Sequence, residues 1–247
     1  MELHPLARGF AGVADDYERG RPGYPLDAIV ALGLPDGFRV ADVGAGTGKL
    51  TRALLAGGLD VVAVEPLHGL RARLEAELPG VEALAGTAEA LPLADASVDA
   101  VACGDAFHWF DGARAAPELA RVIRPGGVLG LLWNAPADDV ALPWAEALWE
   151  LLEDVRPDHP GFTPDQGRTA IDASGRFGRF RRDAFDNVHA TDRAGLVANI
   201  ASISYIALLP APERRALLGR VDALLREHGV DAVDLPLRTT VWTARRR

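Results

Sequence analysis

Residues 40–48 read VADVGAGTG, and this stretch decides the fold. Residues 38–43 are mostly apolar and read as a buried strand with Asp42 near its end, and Gly44, Gly46 and Gly48 follow at alternate positions. The pattern is strand, tight loop, helix start. Glycine at every second position permits positive φ and lets a ligand lie against bare backbone, while the helix that follows presents unpaired N–H groups.

Two better-known loops are excluded by spacing. The nicotinamide fingerprint G-x-G-x-x-G needs its third glycine where Lys49 stands. The phosphate loop G-x-x-x-x-G-K-[ST] needs a glycine at Val43 and a hydroxyl at Leu50. What remains is D-x-G-x-G-x-G. Its carboxylate repels a pyrophosphate and suits a ligand bearing an ammonium group and a cationic centre.

Outward from the loop, β and α signals alternate. A helix over 50–56 stops at Gly57 and Gly58, and DVVAVE (60–65) reads as a strand ending on Glu65. An acidic side chain there, about twenty residues after the glycine loop, is placed to accept two hydrogen bonds from a ribose diol. A helix over 68–78, a short strand over 81–85, a strand over 98–103, a helix over 113–123 and the apolar strand VLGLLW (128–133) continue the alternation. This predicts a parallel, doubly wound sheet whose ligand lies beyond the carboxyl ends of the strands. The strand over 98–103 runs into GDAFHWFD (104–111), with three aromatic residues, one histidine and two acids at that edge. Beyond Asn134 the pattern becomes helical and proline-punctuated. A weakly alternating strand is expected over 180–190, one helix from an Asp192 cap through Leu209, another over 212–228, and a closing strand over 237–244.

Composition narrows the function. The 247 residues carry a net charge of −9, and Lys49 is the only lysine among 26 basic residues. An acidic chain without a basic stripe is a poor match for nucleic acid, and Arg245, Arg246 and Arg247 read as a solvated tail. Cys103 stands alone and the six histidines are scattered, so neither a disulfide within the chain nor a metal site is expected. With no signal pattern at its start and no long apolar run, the protein is expected to be cytoplasmic and away from membranes. The aromatic leader over 10–25, with Tyr17, Arg21 and Tyr24, is a candidate lid over the glycine loop.

With these motifs in place, the chain resembles the class I S-adenosylmethionine-dependent methyltransferases, and within them the small-molecule branch similar to the methyltransferase type 11 group. VADVGAGTG, VVAVEP (61–66), GTAEALPL (86–93), SVDAV (97–101), AFHWFD (106–111) and IRPGGVL (123–129) carry the resemblance. It implies a Rossmann-like α/β fold with a seven-stranded doubly wound sheet, mostly parallel with the last strand antiparallel, plus a helical cap insertion. One domain over 1–247 is expected, with a leader or lid (1–35), a cofactor-binding core (36–135), a cap insertion (136–180) and closing strands and helices (181–247).

The resemblance implies S-adenosyl-L-methionine as cofactor. Asp42 and the backbone of Gly44, Ala45 and Gly46 face its methionine part, Glu65 its ribose, and Leu67 its adenine. Ala88 and Glu89 lie at the adenine edge, with Thr87 where many members carry aspartate, and Asp105 lies near the amino group. His108 is the candidate base or acceptor-orienting residue. Tyr24, Trp109, Tyr205 and Trp133 are candidates for the acceptor wall, and Arg21 and Arg168 for pairing with an acceptor carboxylate. The aromatic residues Phe107, Trp109 and Phe110 are expected to offer π-faces to the sulfonium. The acceptor is expected to be a small molecule. Two other classes stand open: a cofactor-binding protein without catalysis, and a nucleotide-dependent oxidoreductase with an aberrant loop.

Overall fold

The computed structural model describes residues 4–137, 142–153, 155 and 164–247, without side chains for 164–168. Arg168 and part of the expected cap insertion lie outside the described side chains. In chain order a 3-10 turn (Pro5–Gly12) precedes α1 (Ala14–Gly20), α2 (Leu26–Val30), β1 (Arg39–Val43), α3 (Lys49–Ala56), β2 (Asp60–Val64), α4 (His68–Glu77), β3 (Glu82–Leu84) and β4 (Val98–Gly104). There follow a 3-10 turn (Phe107–Trp109), α5 (Gly112–Val122), β5 (Ile123–Pro136), α6 (Pro143–Glu153), α7 (Pro164–Ala173) and β6 (Arg181–Asp192). The chain closes with α8 (Arg193–Ala201), α9 (Ser204–Ala207), α10 (Ala211–Glu227) and β7 (Ala232–Arg245).

The sheet has seven strands in the order β3-β2-β1-β4-β5-β7-β6, six parallel and the last antiparallel. Chain direction across the sheet reverses between β1 and β4, and this is the switch point where an open α/β sheet binds its ligand. Contacts divide the chain into two compact units. One comprises residues 23–135, 162–187 and 238–247, the other residues 1–22, 136–161 and 188–237. The expected core (36–135) falls wholly in the first, while the expected leader, cap and closing segments are shared between the two.

In the first unit the pleat sends successive residues to opposite faces, and both faces are buried. Ala41, Val62, Val101, Cys103 and Leu129 join one cluster, covered by Ala115, Ala116 and Leu119 of α5 and Ile171 of α7. Val40, Val61, Ala100, Ala102 and Val128 join the other, covered by Ala28 and Ile29 of α2 and Leu50 and Leu54 of α3. This explains the unbroken apolar runs. The Arg124–Gly127 segment, expected as a break between helix and strand, lies inside β5, and the register with β4 shifts between Val98 and Ala100 to absorb it. The terminal arginines are not a solvated tail. Arg245 and Arg246 donate to the carbonyls of Gly126 and Ile123, and the Arg246 and Arg247 amides pair with Gly127 and Arg176.

The second unit has its own core, with Leu148, Leu152, Leu196, Ile200, Ile206, Val221 and Leu225 in one cluster. Asp192 caps α8 by accepting from the Gly195 amide at 2.6 Å. The single helix expected after it breaks at Ser202 into α8 and α9. Here α1 runs so close to α8 that a Cβ on Gly20 would lie 2.2 Å from the Asn199 nitrogen. The leader through Pro22 is thus part of this packing.

One hub fixes the segment between β3 and β4. Arg121 donates to the carbonyls of Leu91 and Leu93, to Asp95 at 2.7 Å and to both oxygens of Glu118, and Glu118 accepts from the Leu91 amide at 2.9 Å. These bonds, foremost the one from Arg121, hold the Glu118 carboxyl below its ordinary 4.5. A depressed folded-state pKa gives stability that is present above 4.5 and lost as pH falls through the folded value. Glu118→Gln should therefore cost about 1 to 2 kcal/mol at pH 7, and the gap to wild type should close below pH 4. Urea denaturation at both pH values checks this.

Candidate functional site

The site begins at the carboxyl end of β1. The β-run brings Asp42 into the sheet itself, where it is fully buried; the Thr51 hydroxyl on α3 donates to its Oδ2 at 2.6 Å, and the Thr51 backbone amide also acts on the carboxyl. Asp42 Oδ1 is buried with no hydrogen-bond partner, as is the Thr47 hydroxyl in the loop above. Burial raises the Asp42 pKa from 3.8 to about 7 against the lowering effect of Thr51, and nearby Glu65 adds to the rise. A buried acceptor without a donor is costly.

Gly44, Gly46 and Gly48 all have positive φ, at 76°, 59° and 92°. Gly44 shows why no side chain fits: a Cβ there would meet the Ala106 Cβ at 2.7 Å and the Phe110 ring at 3.3 Å. Four of the loop's amides are engaged internally: Gly44 and Ala45 donate to the Val64 carbonyl, Gly48 to the Ala45 carbonyl, and Gly46 to Glu65. The buried Asp42 Oδ1 is chemistry that suits a cation or a hydrogen-bond donor.

Glu65 follows β2 and is 4% exposed. Its Oε2 accepts from the Gly46 amide and its Oε1 from the Leu67 amide, each at 2.9 Å, while Arg71 donates to its carbonyl. Burial pushes its pKa up, and the two amide bonds pull the other way. The side chain braces the glycine loop against the start of α4, and each oxygen retains a second lone-pair direction for a ligand hydroxyl.

The β4 edge completes the site. Asp105 accepts from the Tyr24 hydroxyl at 2.8 Å and from the Asn134 amide at 3.2 Å. Glu89, expected at the adenine edge, gives one oxygen to the Asp111 amide at 2.9 Å, and Asp111 in turn caps α5. Thr87 and Ala88 are buried in the turn that Thr87 closes with Ala90, and Leu67 is half-buried. His108 lies in the 3-10 turn with its ring 4.6 Å from that of Trp109. Phe110 lies over Gly44 as expected of a cleft aromatic. Phe107 does not, being 1% exposed in the core behind it.

Tyr205 packs on the helical core of the second unit, and Trp133 packs on the sheet core of the first. Arg21, also in the second unit, donates to the Ser202 hydroxyl and carbonyl and lies over the Tyr17 ring. Sequence reading missed Thr51, Asn134, Asn187 and Thr239. Asn134 carried a signal, a polar residue at the end of an apolar strand just like Asp42; Asn187 and Thr239 carried none. Among the described residues, no group of His, Cys, Asp or Glu is placed to hold a metal ion, and no helix is long and apolar enough to cross a membrane.

Because the folded-state pKa of Asp42 is raised, its burial favours the fold below about pH 4 and that contribution is lost as pH climbs toward 7. Asp42→Asn keeps an oxygen for Thr51 and removes the charge. Without ligand it should melt higher than wild type at pH 8, with the advantage shrinking toward pH 5, as thermal melts at the two pH values can test.

A family model described as a methyltransferase domain matches residues 41–131. An uncharacterized methyltransferase of Mycobacterium tuberculosis is 43% identical over 223 residues, 90% of this chain and 88% of that protein. An uncharacterized methyltransferase-like protein of Schizosaccharomyces pombe is 33% identical over 238 residues, 93% and 92% of the two chains. Among solved structures, a candidate type II methyltransferase from Anaeromyxobacter dehalogenans is similar with TM-score 0.62 and 25% identity, covering 91% of this chain and 96% of that one. With likeness of this extent running through nine-tenths of its length, the chain belongs to the class I S-adenosylmethionine-dependent methyltransferases.

Proposed function

We propose that the protein methylates a small-molecule acceptor, with S-adenosylmethionine held at the glycine loop and the acceptor approaching from the 105–110 side. The observation that carries this reading is the buried, unpartnered Asp42 Oδ1 below a loop four of whose amides are already paired. An ammonium group is the donor that such a place lacks. Asp42 with the loop would take the amino-acid end, the remaining lone pairs of Glu65 the ribose hydroxyls, and Leu67 and Ala88 the adenine. Bound there, the cofactor would supply a methyl group on a sulfonium, whose carbon an acceptor nucleophile attacks in line as the sulfur leaves as a neutral thioether.

The chain's own contribution is chiefly placement. Holding nucleophile and methyl roughly 3 to 3.5 Å apart in line can lower the barrier by up to about 7 to 11 kcal/mol, whereas a general base adds some 10² to 10⁴-fold. The Phe110 ring lies next to Gly44, and a cationic centre held over its face would gain roughly 0.5 to 2 kcal/mol. His108, paired with Trp109 at the same edge, is the residue best placed to take or steer the acceptor's proton. The acidic residues Asp42, Glu65, Glu89 and Asp105 favour a neutral or cationic acceptor over a carboxylate.

Calorimetric titration with S-adenosylmethionine and, separately, NADH tests the reading. Micromolar binding of the first and none of the second is expected, with Asp42→Asn abolishing the signal. Glu65→Ala should weaken binding and also lower the melting temperature, because it unbraces the loop. Since Asp42 must be ionised to accept the ammonium group and titrates at about 7, affinity should fall roughly tenfold per pH unit below 7, and fall again above about 8 as the ligand's own α-ammonium loses its proton. A pH-independent affinity would remove Asp42 from the site. Once an acceptor is found, His108→Ala should lower turnover by about 10² or more with cofactor affinity unchanged; equal loss of both would make it a structural residue.

A further inference from the structure

We propose that Tyr24 is a positioning residue of the cofactor site, acting through the Asp105 carboxylate to set the 105–110 segment against the glycine loop. The proposal rests on the reading that the cofactor lies at that loop. Asp105 has φ +48°, a left-handed conformation shared among described non-glycine residues only with Ala96. Such backbone strain at a non-glycine residue persists only where surrounding structure over-determines it. A glycine would adopt it more cheaply, although aspartate tolerates the left-handed region better than most side chains, and here the carboxylate is also tied down by its partners. It accepts two bonds, from the Tyr24 hydroxyl at 2.8 Å to one oxygen and from the Asn134 amide at 3.2 Å to the other.

The left-handed turn has a definite result. Asp105 N–H still donates to the Leu132 carbonyl, at 2.9 Å, continuing the β4–β5 ladder. The chain then turns so that Ala106 and Phe110 lie directly against Gly44. The conformation of one residue therefore decides where the second wall of the cleft meets the first.

Tyr24 is itself seated with care. Its hydroxyl lies over Gly104, where a Cβ would stand 2.5 Å from the phenolic oxygen, so only glycine admits it. The carbonyl of Gly23, the preceding residue, accepts from Asn134 Nδ2 at 3.2 Å and Asn187 Nδ2 at 2.9 Å. Asn134 Oδ1 accepts from the Thr239 hydroxyl at 2.5 Å and from Asn187 at 3.1 Å. Side chains from β5, β6 and β7 thus fix the backbone from which Tyr24 reaches Asp105. This gives the late asparagines and Thr239 a task at the site although none of them belongs to the glycine-loop motifs.

Four proteins test the idea: wild type, Tyr24→Phe, Asp105→Gly and the double variant. Tyr24→Phe keeps the ring and loses only the hydroxyl, so its melting temperature should stay within about 2 °C of wild type. Its dissociation constant for S-adenosylmethionine should rise about tenfold, and the same change made on Asp105→Gly should have no further effect. Hydrogen exchange without ligand should quicken at residues 105–111 in Tyr24→Phe and be unchanged elsewhere in the sheet. Wild-type exchange at 105–111, or an affinity loss of equal size in the Asp105→Gly background, would overturn the proposal. If wild type itself fails to bind S-adenosylmethionine while exchange quickens as stated, the positioning role stands and the cofactor reading falls.

Discussion

Glu65 places a buried carboxylate between two backbone amides, and much of the site depends on that arrangement. One oxygen takes the Gly46 N–H, the other the Leu67 N–H. The first bond closes the glycine loop over the end of β2; the second fixes the start of α4. A loop with three glycines in left-handed conformations loses more entropy on ordering than any other sequence would, and charge-assisted hydrogen bonds inside a low-dielectric edge help to offset this. Four of the loop's donors are thereby engaged within the protein itself.

Asp42 works in the opposite sense. Its donors come from Thr51 alone and leave Oδ1 without a partner, and its burial makes ionisation expensive. A residue that costs stability in the empty protein and regains it on ligation couples folding to binding through a single carboxylate. Across the cleft, Asp105 stands on strained backbone, and the two features face the loop from β1 and β4, the strands that flank the switch point. Function has collected where local rules are broken.

The sheet through β5 was legible because β1, β2, β4 and the middle of β5 are buried on both faces, so the sequence shows apolar runs bounded by turns. The acids at strand ends were legible for the same reason: Asp42, Glu65 and Asp105 interrupt apolar pattern where charge needs a use. Two signals misled. Pro125 and the following glycines read as a break but sit in a strand that tolerates them through a register shift, and the arginine-rich end read as a tail because arginine reveals nothing of the carbonyls it will meet. Tyr24, Asn134 and Thr239 meet only through the tertiary fold; from spacing alone Tyr24 read as an acceptor wall. The split of one expected helix at Ser202 was hidden because apolar periodicity continues through it.

The strand order also bears on how the chain is made. β7, the last strand in sequence, lies between β5 and β6 in the sheet. During synthesis β6 therefore emerges with no neighbour to pair with, and the gap beside β5 stays open until residues 232–245 have left the ribosome. Such long-range pairing is slow and leaves unpaired strand edges exposed meanwhile. The nascent protein passes through a stage in which the cofactor half of the sheet can already assemble while an adhesive slot waits beside it, a window in which a chaperone, or another copy's final strand, competes for the place.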